Sequence, residues 1–244
     1  MTRSRPPKVA GAKQSVRERV WSLLEGEGAA RFPGARGRIP NFTGAEAAAE
    51  RLAELPEWRG AKVVKANPDA PQLSVRSRAL EEGKRLYMAV PRLRHERPFL
   101  LLDPRRLRVA ARRAASIRGA GTAGHPARIA DVRPIDLVVC GSVAVDRRGA
   151  RVGKGGGYSD LEFGLLVEAG LVGPGTVIVT TVHPLQVLDE HLPETAHDFR
   201  VDRIVMPGEV IRCRRARRPQ GILWDHLDEA KVQEIPALRS MARR

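Results

Sequence analysis

The sequence predicts an α/β fold in which helices cover both faces of a mostly parallel β-sheet. Residues 135–140 and 176–182 are mainly apolar and β-branched, which is typical of strands buried inside a sheet. Strand and helix patterns alternate along the chain at the spacing that a parallel sheet requires. The chain has 244 residues, 42% of them hydrophobic, so it is long enough to bury one sizeable core.

The helical segments are predicted from apolar residues that recur every three or four positions. In the first segment Val16, Val20 and Leu24 share one face. The second should begin at a capping box, in which Thr43 caps the helix and Glu46 follows three residues later. Helices are predicted over residues 13–24, 43–55, 75–82, 105–116, 161–169 and 186–191, strands over residues 61–66, 85–90, 99–102, 135–140, 176–182 and 201–206, and loops over residues 25–40, 67–71 and 117–125.

The chain is predicted to have three parts. Residues 1–12 form a flexible basic arm, because Pro6 and Pro7 break any helix there. Residues 13–212 form the α/β domain, and residues 213–244 form a basic C-terminal extension. No run of about 18 apolar residues predicts a membrane span, and no apolar segment follows the basic N-terminus as in a secretory signal. We therefore expect a cytoplasmic protein.

A formal net charge of +15 and a pI near 11.1 predict affinity for polyanions such as nucleotides or RNA. A compositional bias is the alternative explanation, because arginines are spread through the predicted helices rather than confined to a tail. They include Arg105, Arg106, Arg108, Arg112 and Arg113. Aromatic residues make up only 4%, and no aromatic and basic RNA-stacking motif is present. The charge permits RNA binding without identifying it.

Residues 149–160 are predicted to form a phosphate-binding loop. Glycines crowd the segment just before a predicted helix, at Gly153, Gly155, Gly156 and Gly157. Glycine lets backbone amides approach an anion closely, and the following helix N-terminus adds partial positive charge. Arg151 and Lys154 add formal charge. The pattern matches neither the P-loop nor the dinucleotide template, and a flexible glycine turn without a ligand is the alternative.

Asp160 follows the glycines closely enough to bind a Mg²⁺ ion held on the same phosphates. One or two carboxylates together with phosphate oxygens are the usual ligands of that ion. The alternative is an exposed aspartate at a helix N-terminus, which the helix dipole favours.

Residues 135–160 resemble the signature of the 5-formyltetrahydrofolate cyclo-ligase family. That signature has a Leu-Asp-Leu strand, a Gly turn, Asp-x-x-Gly-x-Arg-Leu-Gly, a glycine cluster and Tyr-Tyr-Asp. Further similar segments follow in the family's order, namely Lys13-Gln14-x-x-Arg17, Gly83-Lys84 before a strand that ends in Pro91, Gln186, His197-Asp198 and Val201-Asp202. The resemblance spans roughly residues 13–210 and implies a three-layer, Rossmann-like α/β fold of cyclo-ligase type.

The resemblance also implies an ATP-dependent ring closure that converts 5-formyltetrahydrofolate, a folate-type substrate, into 5,10-methenyltetrahydrofolate. Residues at the family's ATP positions are Lys13, Arg17, Arg151, Gly153, Lys154, Gly155, Gly156, Gly157 and Tyr158. By the same comparison Lys154 and Tyr158 are the catalytic candidates, and Asp160 and Asp198 would hold Mg²⁺.

Two departures from the family pattern concern the substrate side of the site. The family's Tyr-Tyr-Asp-Arg is Tyr158-Ser159-Asp160-Leu161 here, and its folate-contacting Glu has no counterpart in residues 67–72. Residues 67–72, Val75-Arg76, residues 79–81 and residues 221–225 instead resemble a divergent branch, which in animals is joined to an RNA-recognition module. The alternatives are a non-catalytic protein that binds nucleotide or RNA, and an ATP-using enzyme for another small carboxylate or formamide.

Overall fold

The computed structural model describes residues 7–214 and 217–242, in which eight strands form the central sheet. Its strands are β1 Val63–Ala66, β2 Arg85–Ala89, β3 Phe99–Leu102, β4 His125–Ala127, β5 Leu137–Cys140, β8 Val177–Thr181, β10 Arg203–Val205 and β11 Val210–Arg212. Three short strands, β6 Ala144–Asp146, β7 Arg151–Val152 and β9 Val187–Leu188, form a separate small sheet.

The central sheet is parallel in its middle and antiparallel at both edges. Its strand order is β11-β10-β8-β5-β1-β2-β3-β4. Neighbouring strands from β10 to β2 pair in parallel, whereas β11, β3 and β4 pair antiparallel. The mostly parallel sheet predicted from the sequence is therefore confirmed.

The α-helices are α1 Pro7–Gly26, α2 Ala45–Ala53, α3 Pro56–Gly60, α4 Leu73–Glu81, α5 Ala111–Ala115, α6 Ile117–Ala123, α7 Tyr158–Glu168, α8 Glu229–Glu234 and α9 Pro236–Ala242. Strand β5 shows why helices are needed on both faces of the sheet. Val138 and Cys140 pack in the hydrophobic cluster that contains α7, whereas Leu137 and Val139 pack in the cluster that contains α2 and α4. Because successive side chains of a strand point to opposite faces, both faces are buried.

Helix α1 packs against the small sheet rather than the central one. Its residues Val16, Val20 and Leu24 share a cluster with Val143 and Val152. The helix begins at Pro7, so residues 7–12 of the predicted flexible arm are helical. Proline is accommodated in the first helical turn, where its missing N–H has no partner to lose. Residues 1–6 of the predicted arm lie outside the described residues.

The C-terminal segment also packs on the α/β core. Ile222, Ile235 and Leu238 are buried in the same cluster as α7. This packing brings α8 close to the loop that precedes α7. Residues 215–216 and 243–244 of the predicted basic extension lie outside the described residues.

Three predictions about local structure are wrong. The helix at residues 43–55 exists, but its N-cap is Gly44 (φ 92°) and no side chain caps it, so the capping box at Thr43 does not form. Of residues 105–116 only Ala111–Ala115 is α-helical, because residues 108–110 are exposed and offer no apolar face to bury. Gln186 ends a 3₁₀ turn, and residues that follow it pair as β9 rather than forming a helix.

The predicted loop at residues 117–125 is also wrong, because it contains α6 and the first residue of β4. Ser116 starts the helix by accepting a hydrogen bond from the Gly119 amide, at 2.9 Å. A serine at this position is a strong helix start. In the described part of the chain, no helix is both long and apolar enough to cross a bilayer.

Candidate functional site

The loop between β7 and α7 lines a cavity of about 490 Å³. Gly155 and Gly157 have φ angles of 108° and 73°, a backbone region that favours glycine. Gly157 is the N-cap of α7 and provides no side chain to cap the helix. The first amides of α7 are therefore left for an outside acceptor, which is the arrangement that binds phosphates at helix N-termini.

Two cations from α1, Lys13 and Arg17, line the same cavity. The Nε atom of Arg17 donates to the Gly153 carbonyl at 2.6 Å, and a Cβ atom placed on Gly155 would lie 3.4 Å from Arg17 Cζ. The guanidinium thus lies directly against the glycine loop. A larger residue in place of Gly155 would crowd it.

Arg151 is buried at the centre of the site. Its NH2 group donates to Asp160 Oδ1 at 2.6 Å, and its Cζ atom lies 3.9 Å from the centre of the Phe199 ring. Burial by itself would lower the pKa of Arg151, but the attraction of Asp160 and other anions raises it above the ordinary value. Arg151 is therefore a fixed positive charge whose plane is held by an aromatic ring.

Asp198 and Lys13 form a buried ion pair. Thr195 donates two further hydrogen bonds to the same Asp198 oxygen, from its amide at 2.5 Å and from its hydroxyl at 2.8 Å. Burial would raise the pKa of Asp198, but Lys13 and the Thr195 hydrogen bonds outweigh it and lower the pKa below the ordinary value. This carboxylate is ionised and already engaged by the protein.

Asp160 and Asp198 each have one oxygen that accepts no hydrogen bond within the described residues. Arg151 holds Oδ1 of Asp160 and leaves Oδ2, whereas Lys13 and Thr195 engage Oδ2 of Asp198 and leave Oδ1, which lies 3.9 Å from His197 Nε2. The described residues contain no cluster of three or more His, Cys, Asp or Glu side chains that could hold a metal. Both predicted metal ligands therefore have an oxygen left for a cation, and Asp160 lies in the first turn of α7, directly after the glycine loop.

Lys154 and Tyr158, the two catalytic candidates, lie at the cavity mouth. Lys154 Nζ lies 3.4 Å from Asp69 Oδ1, and about half of its side chain (53%) is exposed. The Tyr158 hydroxyl donates to Glu234 of α8 at 3.3 Å, and Lys231 Nζ lies 3.7 Å from the centre of the Tyr158 ring. Helix α8 thus contacts the segment of residues 149–160, a contact that the sequence analysis did not predict.

Every site residue predicted from the sequence lines this one cavity, namely Lys13, Arg17, Arg151, Gly153, Lys154, Gly155, Gly156, Gly157, Tyr158, Asp160 and Asp198. The structure brings these residues together; their roles remain predictions.

Three further polar residues of the cavity region were missed. Asn67 and Glu162 line the cavity, and both are contacted by Lys65 of β1. Lys65 Nζ lies 2.5 Å from Asn67 Oδ1 and 2.5 Å from Glu162 Oε1. Burial raises the pKa of Glu162 above its ordinary value, while Lys65 opposes this shift by favouring the ionised form. The available sequence signal was a lysine inside the apolar strand β1.

Comparison with known proteins agrees with the geometry. The sequence model of the 5-formyltetrahydrofolate cyclo-ligase family matches residues 9–207. The chain belongs to this family. The resemblance found in the sequence is therefore confirmed, and cyclo-ligase membership supports a ligase-type enzyme.

The curated relatives of this cyclo-ligase family member are longer proteins. It is 40% identical over 239 residues to the mouse (Mus musculus) methenyltetrahydrofolate synthase domain-containing protein, covering 96% of this chain and 64% of that protein. It is 37% identical over 245 residues to the human (Homo sapiens) protein of the same name, covering 98% and 63%. The chain thus spans less than two thirds of the length of these relatives.

A solved structure supports the cyclo-ligase fold. The NMR structure of Aquifex aeolicus 5,10-methenyltetrahydrofolate synthetase superposes with a TM-score of 0.53 at 24% identity, covering 89% of this chain and 99% of that one. At this identity the likeness concerns the fold alone. The α/β architecture with a mostly parallel sheet is the one expected for a cyclo-ligase.

Proposed function

We propose that the chain catalyses, in the cytoplasm, the ATP- and Mg²⁺-dependent cyclisation of 5-formyltetrahydrofolate to 5,10-methenyltetrahydrofolate. The observation that carries this proposal is one cavity that combines the glycine loop, the uncapped N-terminus of α7 and four cationic side chains. Lys13 and Arg17 come from α1, and Arg151 and Lys154 come from β7 and the loop after it. Family membership favours the same reaction.

In the proposed reaction the formyl oxygen takes the γ-phosphoryl group of ATP and ADP leaves. The neighbouring amine nitrogen then attacks the formyl carbon and loses its proton, and the C–O bond breaks as phosphate departs. The protein contributes mainly position and charge. The amides at the start of α7 and Lys154 would bind phosphate oxygens, while Arg17 fixes the loop through the Gly153 carbonyl. Arg151 would stabilise negative charge that develops during transfer.

Mg²⁺, when bound, would neutralise charge on the phosphates, and Asp160 Oδ2 is the protein oxygen suited to hold it. Asp198 was expected as a second ligand from the resemblance. Because Lys13 and Thr195 already engage its carboxylate, we propose instead that Asp198 orients Lys13 towards the nucleotide.

The direct test is spectrophotometric detection of 5,10-methenyltetrahydrofolate formed by the purified chain. Product should require both ATP and Mg²⁺, and omission of either should abolish it. Absence of ATP-dependent product would reject the proposal, whereas ATP-dependent turnover of a different formamide would retain the ATP chemistry and reject folate as substrate.

Lys154→Ala is expected to weaken ATP binding by about ten- to a hundredfold, the value of one lost charge-assisted contact to phosphate. Nucleotide titration by calorimetry measures the change. Lys62→Ala is the matched control, because Lys62 is exposed and lies outside the cavity. Equal affinities in the two variants would remove Lys154 from the proposed nucleotide site.

A second candidate function, binding of a structured RNA, is favoured by an arginine patch on the surface. We define the patch as the six exposed arginines of residues 105–118, namely Arg105, Arg106, Arg108, Arg112, Arg113 and Arg118. No acidic residue occurs in that segment, and none of the six forms an ion pair within the described chain. Unpaired like charges repel each other and favour a polyanionic partner.

The arginine patch predicts RNA binding through phosphates rather than stacked bases, because the segment has no aromatic residue. Replacing Arg112 and Arg113 with Ala should weaken binding of a short double-stranded RNA and reduce the slope of log affinity against log salt by about two. The control replaces Arg19 and Arg36, which removes the same charge from arginines paired with Glu190 and Glu18. Equal losses of RNA affinity in both variants would show that only net charge matters and would reject the arginine patch as the RNA-binding surface.

A further inference from the structure

The cavity is lined by a buried carboxylate that accepts no hydrogen bond from the described residues. The Glu162 side chain is 5% exposed and lines the cavity. Lys65 Nζ forms an ion pair with Oε1 at 2.5 Å, but Oε1 is buried and accepts no hydrogen bond within residues 7–214 and 217–242, and neither does Oε2. A buried carboxylate oxygen is costly unless a donor reaches it. An outside donor is therefore expected at the Glu162 carboxylate.

Next to this acceptor lies a donor that is also unused. Asn67 accepts from Lys65 through Oδ1, and its Nδ2 group donates to no atom of the described chain. Asn67 is 7% exposed and lines the same cavity. Because Lys65 holds both side chains by one ammonium group, the acceptor of Glu162 and the donor of Asn67 are fixed side by side.

The backbone around Asn67 is held as firmly as its side chain. Arg76 of α4 is buried and donates to the carbonyls of Asn67 at 2.6 Å and Asp69 at 2.8 Å. The Asn67 amide donates to the Val139 carbonyl of β5 at 3.0 Å. The donor and acceptor are thus preorganised by strands of the central sheet, which favours specific recognition over a loose polar lining.

We infer that Lys65, Asn67 and Glu162 form a recognition subsite for a 2-amino-4-oxopyrimidine ring. The adjacent ring N–H and amino groups would donate to the Glu162 carboxylate in a fork, and Asn67 Nδ2 would donate to the neighbouring ring carbonyl. The inference deepens the proposed function on which it rests, since a pterin carries this edge. A carboxylate from α7 then takes the place of the family's folate-contacting Glu, which has no counterpart in residues 67–72.

A purely structural role for Glu162 is the competing explanation, because the carboxylate also neutralises buried Lys65. Structural pairing would be satisfied by any arrangement that keeps the two charges together. It does not account for a free acceptor and a free donor that both face the cavity. The two explanations differ in whether Glu162 senses the amino group of a ligand.

The test uses the full chain and compares 5-formyltetrahydrofolate with its analogue that lacks the 2-amino group. Wild-type protein should bind the analogue about ten- to a hundredfold more weakly, because the carboxylate loses a donor. Glu162→Gln should raise the KM for the folate by a similar factor, leave ATP affinity unchanged, and no longer discriminate between the two ligands. Glu168→Gln, the same change on the same helix outside the cavity, should behave as wild type.

The comparison of the two ligands on wild-type protein needs no variant, so it tests the subsite even if Glu162→Gln does not fold. Equal affinity for both ligands would overturn the inference while leaving the cyclase proposal intact. Protein that neither binds nor converts folates would reject the proposed function. The subsite is then tested by comparing the affinities for guanosine and for inosine, which lacks only the 2-amino group. Preference for guanosine would support the subsite with guanine as its ligand, and no preference or no binding would overturn it.

Discussion

Replacing Asp198 with asparagine is expected to lower the free energy of unfolding by about 3–5 kcal/mol. Asp198 is the buried partner of Lys13, and the two side chains are only 6% and 4% exposed. Asparagine keeps the volume and can still accept from Thr195, but it removes the negative charge that pairs with the buried Lys13 ammonium. Breaking a buried ion pair by removing one charge is among the most destabilising single substitutions in proteins.

The matched control is the double variant Lys13→Met/Asp198→Asn. It removes both charges, so it should be clearly more stable than Asp198→Asn alone. Urea denaturation at constant pH measures both differences. A double variant as unstable as the single one would show that the penalty comes from packing or from Thr195 rather than from the broken ion pair.

The pH dependence gives a second test of the same ion pair. The pKa of Asp198 is lowered in the folded protein, so the unfolded chain takes up the proton first as the pH falls. The stabilisation should be fully present above the unfolded pKa, about 4, and be lost as the pH falls further towards the folded value. The stability gap between wild type and Asp198→Asn should therefore be constant near neutrality and shrink below about pH 4. A gap that stays constant through that range would contradict a depressed pKa.

Secondary structure was predictable where one segment carried its own pattern. Strand β5 has a continuous apolar run, and α1 repeats its apolar residues every three or four positions, so both were predicted. Strands β7 and β9 have only two residues each, too few for any period to show. Helix α6 was missed because its Gly and Ala residues suggest a loop, although Ser116 supplies the cap that starts it.

Site residues that lie within one segment could likewise be predicted from the sequence, whereas contacts between distant segments could not. The glycine loop and the first turn of α7 lie within one short segment, so their chemistry could be predicted together. Lys13 and Asp198 are 185 positions apart, and only the placement of α1 against the small sheet brings them together. Their predicted proximity came from the family resemblance rather than from the residues themselves.

The pairing of Glu162 with Lys65 could not be predicted from the sequence pattern or from the family resemblance. In the sequence Glu162 is one of three acidic residues of α7, without an indication of its partner. Its role depends on α7 lying against the face of the sheet that Lys65 of β1 occupies. A charged residue inside each of two apolar elements was a usable signal, but their pairing required the fold.

The second large effect is expected from Arg151→Lys, which should reduce the rate of the proposed cyclisation by about 10²–10³-fold, the loss typical of removing one preorganised charge contact to a transition state. Lysine keeps the charge, but it cannot both reach Asp160 in the plane of a guanidinium and lie flat against Phe199. The ammonium would therefore move relative to the glycine loop, and kcat should fall more than ATP affinity.

Arg148→Lys is the control that separates this effect from the loss of any arginine–carboxylate pair. Arg148 lies three residues before Arg151 and donates to Asp146 at 2.9 Å. Its side chain is 41% exposed and lies outside the cavity. Its substitution should leave kcat within about twofold, because the Arg148 guanidinium is partly exposed and contacts none of the described residues of the cavity. Because Arg151 is buried, its substitution also lowers stability. The thermal unfolding midpoint of each variant should therefore be measured, and kcat determined well below that temperature. A folded Arg151→Lys protein with wild-type kcat would show that Arg151 holds Asp160 and the loop without stabilising the transferred charge, and Lys13 or Lys154 would then have to supply that charge.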